Sequence, residues 1–134
     1  MKKICVIAHD AMKPALVAFL KERADWLWGR KLVATGLTAE FMKHEALAVD
    51  IEDVQPGRDG GYRQLREQVD AGEIEMVLFF RDPEIVQDYE ADVVALVKSC
   101  IKQNIPLASN PASAELLIVG MIRMQASKRA ESSL

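Results

Sequence analysis

The segment EMVLFF, residues 75–80, is the most strand-like stretch of this sequence. Its five consecutive apolar residues are typical of a parallel strand that is buried on both faces. Further strand-like stretches occur at residues 3–8, 31–34, 49–54 and 106–109, and helical patterns separate them. This alternation predicts an α/β protein, a single doubly wound domain with a mainly parallel five-stranded sheet flanked by helices.

Capping residues indicate where the helices between these strands begin. We expect Thr38 to cap the helix after the second strand and Asp92 to cap the helix after the fourth. Near its end the sequence turns polar. The predicted organisation is therefore one domain over residues 1–124 and a polar tail over residues 125–134.

Composition argues against several classes of function. The chain has 134 residues, of which 17 are Lys or Arg and 20 are Asp or Glu, so its net charge is −3. A mildly acidic chain is a poor candidate for broad electrostatic binding to nucleic acid. Its apolar runs are all shorter than the roughly 18 residues that a membrane-spanning segment needs. We therefore expect neither nucleic acid nor a membrane as a partner.

The amino-terminal segment and the cysteines bear on location. The segment MKKICVIAHD has two lysines and a short apolar run, but the run breaks at His9. It therefore predicts a buried strand rather than a secretion signal. Cys5 and Cys100 lie in apolar segments, and two cysteines are too few for a disulfide framework. We expect a cytoplasmic protein with buried, reduced thiols.

Polar residues and glycines follow each of the five predicted strands. In a doubly wound sheet, ligands bind beyond the carboxyl ends of the strands. Any one of these residues could be an ordinary loop residue, but five strand ends together favour a binding site. The residues at these ends are His9, Asp10, Lys13, Thr35, Gly36, Thr38, Gly57, Gly60, Gly61, Arg81, Asp82, Ser109 and Asn110.

The chemistry of these residues favours an anionic ligand. Thr35-Gly36 and the glycine-rich segment after the third strand can direct hydroxyls and backbone amides at a phosphate. Lys13 adds a positive charge, and His9 can act as an acid, a base or a hydrogen-bond donor. Asp10 and Asp82 have the alternative roles of capping a helix and forming a turn. The residue types alone predict a phosphate-binding α/β domain.

Several segments together resemble the methylglyoxal synthase family. They are VIAHDAMK at 6–13, VATGLT at 33–38, LFFRDP at 78–83, Asp92-Val93 with Ala95-Leu96, and IPLASN at 105–110. The resemblance implies conversion of dihydroxyacetone phosphate to methylglyoxal and inorganic phosphate, with no metal and no organic cofactor. It also implies a homohexamer. The same fold occurs as a regulatory domain in carbamoyl-phosphate synthetase and in inosine monophosphate cyclohydrolase.

The resemblance also implies roles for individual residues. His9 would contact the substrate oxygens, while Asp10, Asp82 and Asp92 would belong to the catalytic shell. The phosphate would be held by Lys13, Thr35, Thr38 and Gly57, and the neighbouring Gly36, Gly60 and Gly61 are included in the predicted binding set.

This sequence departs from the family pattern at other positions, and three of those departures bear directly on the site. The family's Gly-Gly-Asp, whose Asp is the proposed proton-abstracting base, reads Gly-Gly-Tyr62 here. A family His reads Tyr89, and a phosphate-binding Thr reads Leu37. A phenol with a pKa near 10 is a poor base at neutral pH, and losing a general base costs on the order of 10²–10⁴ in rate. Asp59 is a candidate replacement on the same loop.

Two hypotheses follow from these departures. The first is a methylglyoxal-synthase-type lyase with reduced or altered activity. The second is a non-catalytic domain of the same fold that binds a phosphorylated metabolite. A carboxylate within reach of the substrate proton would favour the first, whereas anion donors alone would favour the second.

Overall fold

The computed structural model describes residues 2–45 and 47–132. Five parallel strands form one sheet in the order β3-β2-β1-β4-β5, which confirms the predicted fold class. The long inner strands β1 and β4 are almost wholly buried. The strands are β1 (Lys3–Ala8), β2 (Lys31–Ala34), β3 (Asp50–Asp53), β4 (Ile74–Phe80) and β5 (Leu107–Ala108).

The strand order reverses between β1 and β4. From β1 the chain steps outward to β2 and β3, and it then returns to place β4 on the other side of β1. The two strands run in register, with Val6 beside Leu78 and Ala8 beside Phe80. A crevice forms at such a reversal because the loops leaving the two strands turn toward opposite faces of the sheet. The loops after Ala8 and Phe80 are therefore placed to build a site.

Helices cover both faces of the sheet, and 3₁₀ turns at Asp10–Met12 and Gly57–Asp59 lead into two of them. Packed on one face are α1, α3 and α6, and on the other α4 and α5. The helices are α1 (Lys13–Lys21), α2 (Ala24–Leu27), α3 (Gly36–His44), α4 (Gly61–Asp70), α5 (Glu90–Lys102) and α6 (Pro111–Ser132).

Residues of β4 alternate between two apolar layers. Met76, Leu78 and Phe80 face one layer, while Val77 and Phe79 face the other. This alternation explains why an uninterrupted apolar run was needed in the sequence, since both sides of the strand are covered. The two cysteines are also buried and free, as expected.

Two predicted helix caps are wrong. Thr35, in an extended conformation with φ −65° and ψ 153°, precedes α3, so Thr38 lies inside the helix rather than at its cap. The Thr38 hydroxyl instead donates a hydrogen bond to the backbone oxygen of Ala8, at 3.4 Å. Tyr89 precedes α5, so Asp92 lies within the first helical turn, where a negative charge suits the helix dipole.

The polar segment at the end of the chain is helical over its described part. The last helix continues without interruption from Pro111 to Ser132. Its final turns contain Ala, Lys, Arg and Glu, which favour helix, and no Gly or Pro. Residues 133–134 lie outside the described part of the chain. Within residues 2–45 and 47–132, no helix is long and apolar enough to cross a bilayer.

Gly61 allows the start of α4 to pass close to the loop after β3. A Cβ at this position would lie 2.0 Å from the Gln55 backbone oxygen. We expect Gly61→Ala to lower the free energy of unfolding by about 1–3 kcal/mol, as overpacking does. Gly120 in α6 is the control, because a Cβ there meets nothing within 4 Å.

At this control position Gly120→Ala should raise the free energy of unfolding by about 0.5–1 kcal/mol, since alanine favours helix. Urea unfolding followed by circular dichroism measures both values. Equal effects of the two substitutions would contradict the close approach at Gly61.

Candidate functional site

A cavity of about 580 Å³ opens at the carboxyl ends of β1 and β2. The loop after β1, the start of α3, the loop after β3 and the segment before α5 contribute to its wall. Six residues of the predicted site line it, together with the three residues that we expect to depart from the family pattern. They are His9, Asp10, Lys13, Thr35, Thr38 and Gly57, together with Leu37, Tyr62 and Tyr89.

His9 is buried where the loops from β1 and β4 meet. Its Nδ1 accepts a hydrogen bond from the backbone N–H of Asp82, at 2.8 Å. An imidazole nitrogen that accepts a hydrogen bond carries no proton, so the ring proton of neutral His9 is on Nε2. Nε2 is buried and has no hydrogen-bond partner within the described structure. The Nε2–H of His9 can therefore donate a hydrogen bond to the oxygen of a ligand in the cavity that His9 lines.

The surroundings of His9 favour the neutral ring. Burial lowers the pKa of this imidazole, and the nearby guanidinium of Arg81 lowers it further. Arg81 is held in place by an ion pair with Glu90, at 2.5 Å. The His9 ring also meets the Phe79 ring edge to face, with 5.4 Å between the centroids. His9 thus has a fixed orientation and a hydrogen-bond donor without a full charge.

Lys13 supplies a largely buried positive charge to the cavity. The residue is 8% exposed, and its ammonium group forms an ion pair with the carboxylate of Asp10. The hydrogen bond from Lys13 lowers the pKa of Asp10. A carboxylate with a lowered pKa takes up a proton less readily. Asp10 is therefore better suited to positioning Lys13 than to removing a proton from a substrate.

Two buried threonines bring the start of α3 against β1. The Thr35 hydroxyl donates to the Thr38 hydroxyl oxygen at 3.2 Å. The Thr38 hydroxyl in turn donates to Ala8 of β1, which fixes the first turn of α3 beside the end of that strand. Backbone N–H groups at the start of a helix lack intrahelical partners and carry partial positive charge. This turn is therefore suited to bind an anion.

An aromatic wall forms another part of the cavity; we use this term for Tyr62 and Tyr89. Their rings stack with 5.5 Å between the centroids and 29° between the planes. Tyr62 is only 3% exposed, and burial raises the pKa of its phenol far above the usual value. A Cβ at Gly57 would lie 2.5 Å from the Tyr62 ring and 3.1 Å from the Tyr89 ring. Gly57 thus packs directly against the wall.

Three predicted carboxylates lie outside the cavity lining. Asp59 is exposed and faces Arg58, with 3.7 Å between Oδ2 and Nε, so the structure does not support it as a replacement base. The carboxylate of Asp82 accepts a hydrogen bond from the backbone N–H of Glu84, as in a turn. Asp92 lies within the first turn of α5. Asp82 instead contributes to the site through its backbone bond to His9.

Three predicted glycines shape the loops around the cavity rather than line it. Gly36 donates its N–H to the Gln55 backbone oxygen at 3.3 Å, which connects α3 to the loop after β3. Gly60 has φ +97°, a left-handed conformation that glycine adopts without strain. Gly61 passes close to that same loop. Their role is to position neighbouring residues.

The sequence analysis missed three polar residues of the cavity, namely Arg58, Gln87 and Asp88. Arg58 lies in the glycine-rich loop between the predicted Gly57 and Asp59, and its charge was the signal available in the sequence. Gln87 and Asp88 lie in the irregular segment before α5, which has no periodicity to place its side chains. Among the described residues, no cluster of three or more potential metal ligands occurs.

The fold and the cavity define a doubly wound α/β domain with a polar, positively charged cavity at the carboxyl ends of its strands. Comparison with known proteins adds the family. A family model described as "MGS-like domain" matches residues 15–109. The chain therefore belongs to the methylglyoxal-synthase-like family.

Individual relatives cover most of the chain. A methylglyoxal synthase of Carboxydothermus hydrogenoformans is 39% identical over 88% of this chain and 97% of its own length. A methylglyoxal synthase of Borrelia garinii is 42% identical over 89% of this chain and 94% of its own length. The crystal structure of methylglyoxal synthase from Elizabethkingia anophelis superposes with a TM-score of 0.79 at 34% identity, covering 87% of this chain and 76% of that one.

The tautomer and charge of His9 can be tested by ¹⁵N NMR. At a pH just below its ordinary pKa of 6.5, we expect folded His9 to remain neutral with the proton on Nε2. The chain has two histidines, so the His44→Gln variant assigns the signals. A protonated Nδ1 in the folded protein would contradict the hydrogen bond from Asp82.

The same lowered pKa affects stability. Above pH 6.5 the imidazole is neutral in both the folded and the unfolded protein, so the lowered pKa does not affect stability there. Below that pH the unfolded chain takes up a proton that the folded site resists, so the His9 contribution to stability falls. Unfolding measurements across this range should show a weaker decline for His9→Asn than for the parent.

Proposed function

We propose that this chain is a methylglyoxal-synthase-type lyase that binds dihydroxyacetone phosphate and releases phosphate slowly. The observation that carries the proposal is the arrangement of one cavity: Lys13 and the start of α3 on one part of its wall, and neutral His9 on another. The relatives named methylglyoxal synthase support the reaction class.

The phosphate group would bind beside Lys13 and the first turn of α3. Lys13 contributes a formal charge, and the backbone N–H groups of α3 contribute partial charges. Thr35 and Thr38 hold the turn in place through their hydroxyls. Hydrogen bonds to a charged phosphate are stronger than those between neutral groups, so this part of the site would account for most of the affinity.

His9 would stabilise the intermediate of the reaction. A base removes a proton from the hydroxymethyl carbon beside the carbonyl, and the carbonyl oxygen becomes an enediolate oxygen. The Nε2–H of neutral His9 can donate a hydrogen bond to that oxygen as its charge develops. The hydroxyl on the deprotonated carbon then loses its proton and becomes the aldehyde carbonyl, while the electron pair of the enediolate double bond shifts and expels phosphate by breaking its carbon–oxygen bond. The enolate that remains takes up a proton on its terminal carbon to give methylglyoxal.

The slow step is the first proton transfer, because none of the described residues that line the cavity is well suited to act as the base. Tyr62 has a raised pKa, so its phenolate is scarce at neutral pH. Asp10 is held by Lys13. Asp88 also lines the cavity, but its side chain is exposed, and no ion pair among the described residues holds its carboxylate in position. We expect turnover on the order of 10²–10⁴ below that of a site with a positioned carboxylate.

A second candidate function is binding without turnover. The aromatic wall favours binding without turnover, because Tyr62 and Tyr89 occupy the two positions at which the family resemblance implies an acid or a base. In that case the domain would recognise a phosphorylated metabolite through the same Lys13 and α3 groups. Product release by the parent protein distinguishes the two functions, since only the lyase releases methylglyoxal.

We also propose that this chain forms a homo-oligomer in the cytoplasm. Leu116, Ile122 and Met124 are exposed apolar side chains on α6, and such a surface is compatible with contact between subunits.

Phosphate binding can be tested with one charge removed. Lys13→Gln should weaken the binding of inorganic phosphate about ten- to a hundredfold, as expected for a charge-assisted hydrogen bond. Lys21→Gln is the matched control, because Lys21 is exposed at the end of α1 and lies outside the cavity. Isothermal titration calorimetry gives both dissociation constants. Equal weakening by the two variants would indicate only a general effect of net charge.

The missing base can be tested with an isosteric pair. With dihydroxyacetone phosphate, Tyr62→Asp should release methylglyoxal on the order of 10²–10⁴ faster than Tyr62→Asn, because only the aspartate can take up a proton. Both variants remove the same buried ring, so damage to packing affects them equally. The same pair with Tyr89→His added repeats the comparison without the stacked rings. Equal rates in both backgrounds would mean that position 62 does not act as a base in this chain.

A further inference from the structure

We propose that this cavity selects a phosphate monoester with an aromatic or apolar substituent over one with a polyhydroxylated substituent. The inference rests on the phosphate-binding part of the proposed function and concerns the rest of the ligand. It is independent of whether the chain turns over dihydroxyacetone phosphate.

The first observation is that three departures from the family pattern meet in one place. Leu37, Tyr62 and Tyr89 all line the cavity, and the resemblance to the family implies Thr, Asp and His at these positions. Each change replaces a small or strongly polar group by a larger and more apolar one. Meanwhile His9 and Lys13 are retained in the same cavity. The cavity thus combines an anion-binding part with three side chains that offer apolar or aromatic surface beside it.

The second observation is that the aromatic wall is firmly supported. Tyr62 stacks on Tyr89 and also meets Phe79, with 5.7 Å between the ring centroids of the latter pair. Gly57 lies against the edges of both tyrosine rings. A ring that is fixed before binding loses little side-chain freedom when a ligand packs on it. Tyr89, the less buried of the two tyrosines, would provide the ligand contact.

The third observation is the polarity of the surface next to Lys13 and the first turn of α3, where the phosphate would bind. Leu37 is 43% exposed at the start of α3, beside the proposed phosphate position. A sugar-like hydroxyl placed against Leu37 or the face of Tyr89 would lose its hydrogen bonds to water without gaining replacements. An aromatic or apolar group would instead bury surface and gain contact with the ring. The cavity volume of about 580 Å³ leaves room for such a group beside a phosphate.

Calorimetry with two phosphate monoesters tests the selection in the full-length protein. The probes are phenyl phosphate and glycerol 3-phosphate, with inorganic phosphate as the reference. We expect phenyl phosphate to bind about two- to twelvefold more tightly than glycerol 3-phosphate, the range expected for one aromatic contact.

Variants identify the surface that produces the preference. Tyr89→Phe keeps the ring and should keep the preference, whereas Tyr89→Ala should remove it. Leu37→Thr should reduce the preference. Because Leu37 is more exposed, this variant provides the test if Tyr89→Ala does not fold. Trp28→Ala is the control, because Trp28 is an 87% exposed aromatic residue outside the cavity.

The outcomes separate this inference from the proposed function. Equal or weaker binding of phenyl phosphate, with normal binding of inorganic phosphate, would overturn the selection and leave the phosphate site intact. A preference that survives both Tyr89→Ala and Leu37→Thr would also overturn it. Failure of all three ligands to bind would overturn the phosphate site and this inference together.

Discussion

The hydrogen bond from the Asp82 backbone to Nδ1 of His9 is the interaction on which the site depends. It connects the loops leaving β1 and β4, the two strands between which the sheet reverses its order. Because the donor is a backbone N–H, the bond fixes the ring and its tautomer regardless of pH-sensitive neighbours. The side chain of Asp82 is then free to form the turn that places its own N–H. The orientation of His9 is therefore a property of the fold.

The fold was predictable because its signals are local. An uninterrupted apolar run such as residues 75–80 can be recognised from the sequence, since a strand covered on both faces has no polar side. The ends of helices were less predictable. Thr38 has the residue type of a cap, but its hydroxyl bonds to Ala8, a residue 30 positions away. A contact between distant segments of this kind leaves no trace in the sequence near either residue.

The prediction of the site shows the same difference between local signals and contacts that depend on the folded structure. His9, Lys13 and Thr35 follow strands, so the topology places them in the cavity and the sequence predicted them. Asp59 and Arg58 are adjacent in the sequence, yet only Arg58 lines the cavity. The 3₁₀ turn that contains them decides which side chain points inward, and the composition of the loop does not encode that choice. The sequence predicted a role for the Asp82 carboxylate, whereas the residue contributes through its backbone N–H. The type of a side chain gives no indication of such a backbone contact.

The close fit of Gly57 against the aromatic wall changes how this glycine should be interpreted in comparisons of related chains. In a phosphate-binding loop, glycine persists under selection for ligand affinity. Here any larger residue would also collide with the Tyr62 ring. Selection for a foldable core would thus preserve glycine at this position even in a descendant that had stopped binding phosphate. Beside these two tyrosines, the presence of glycine at position 57 is therefore not independent evidence of phosphate binding.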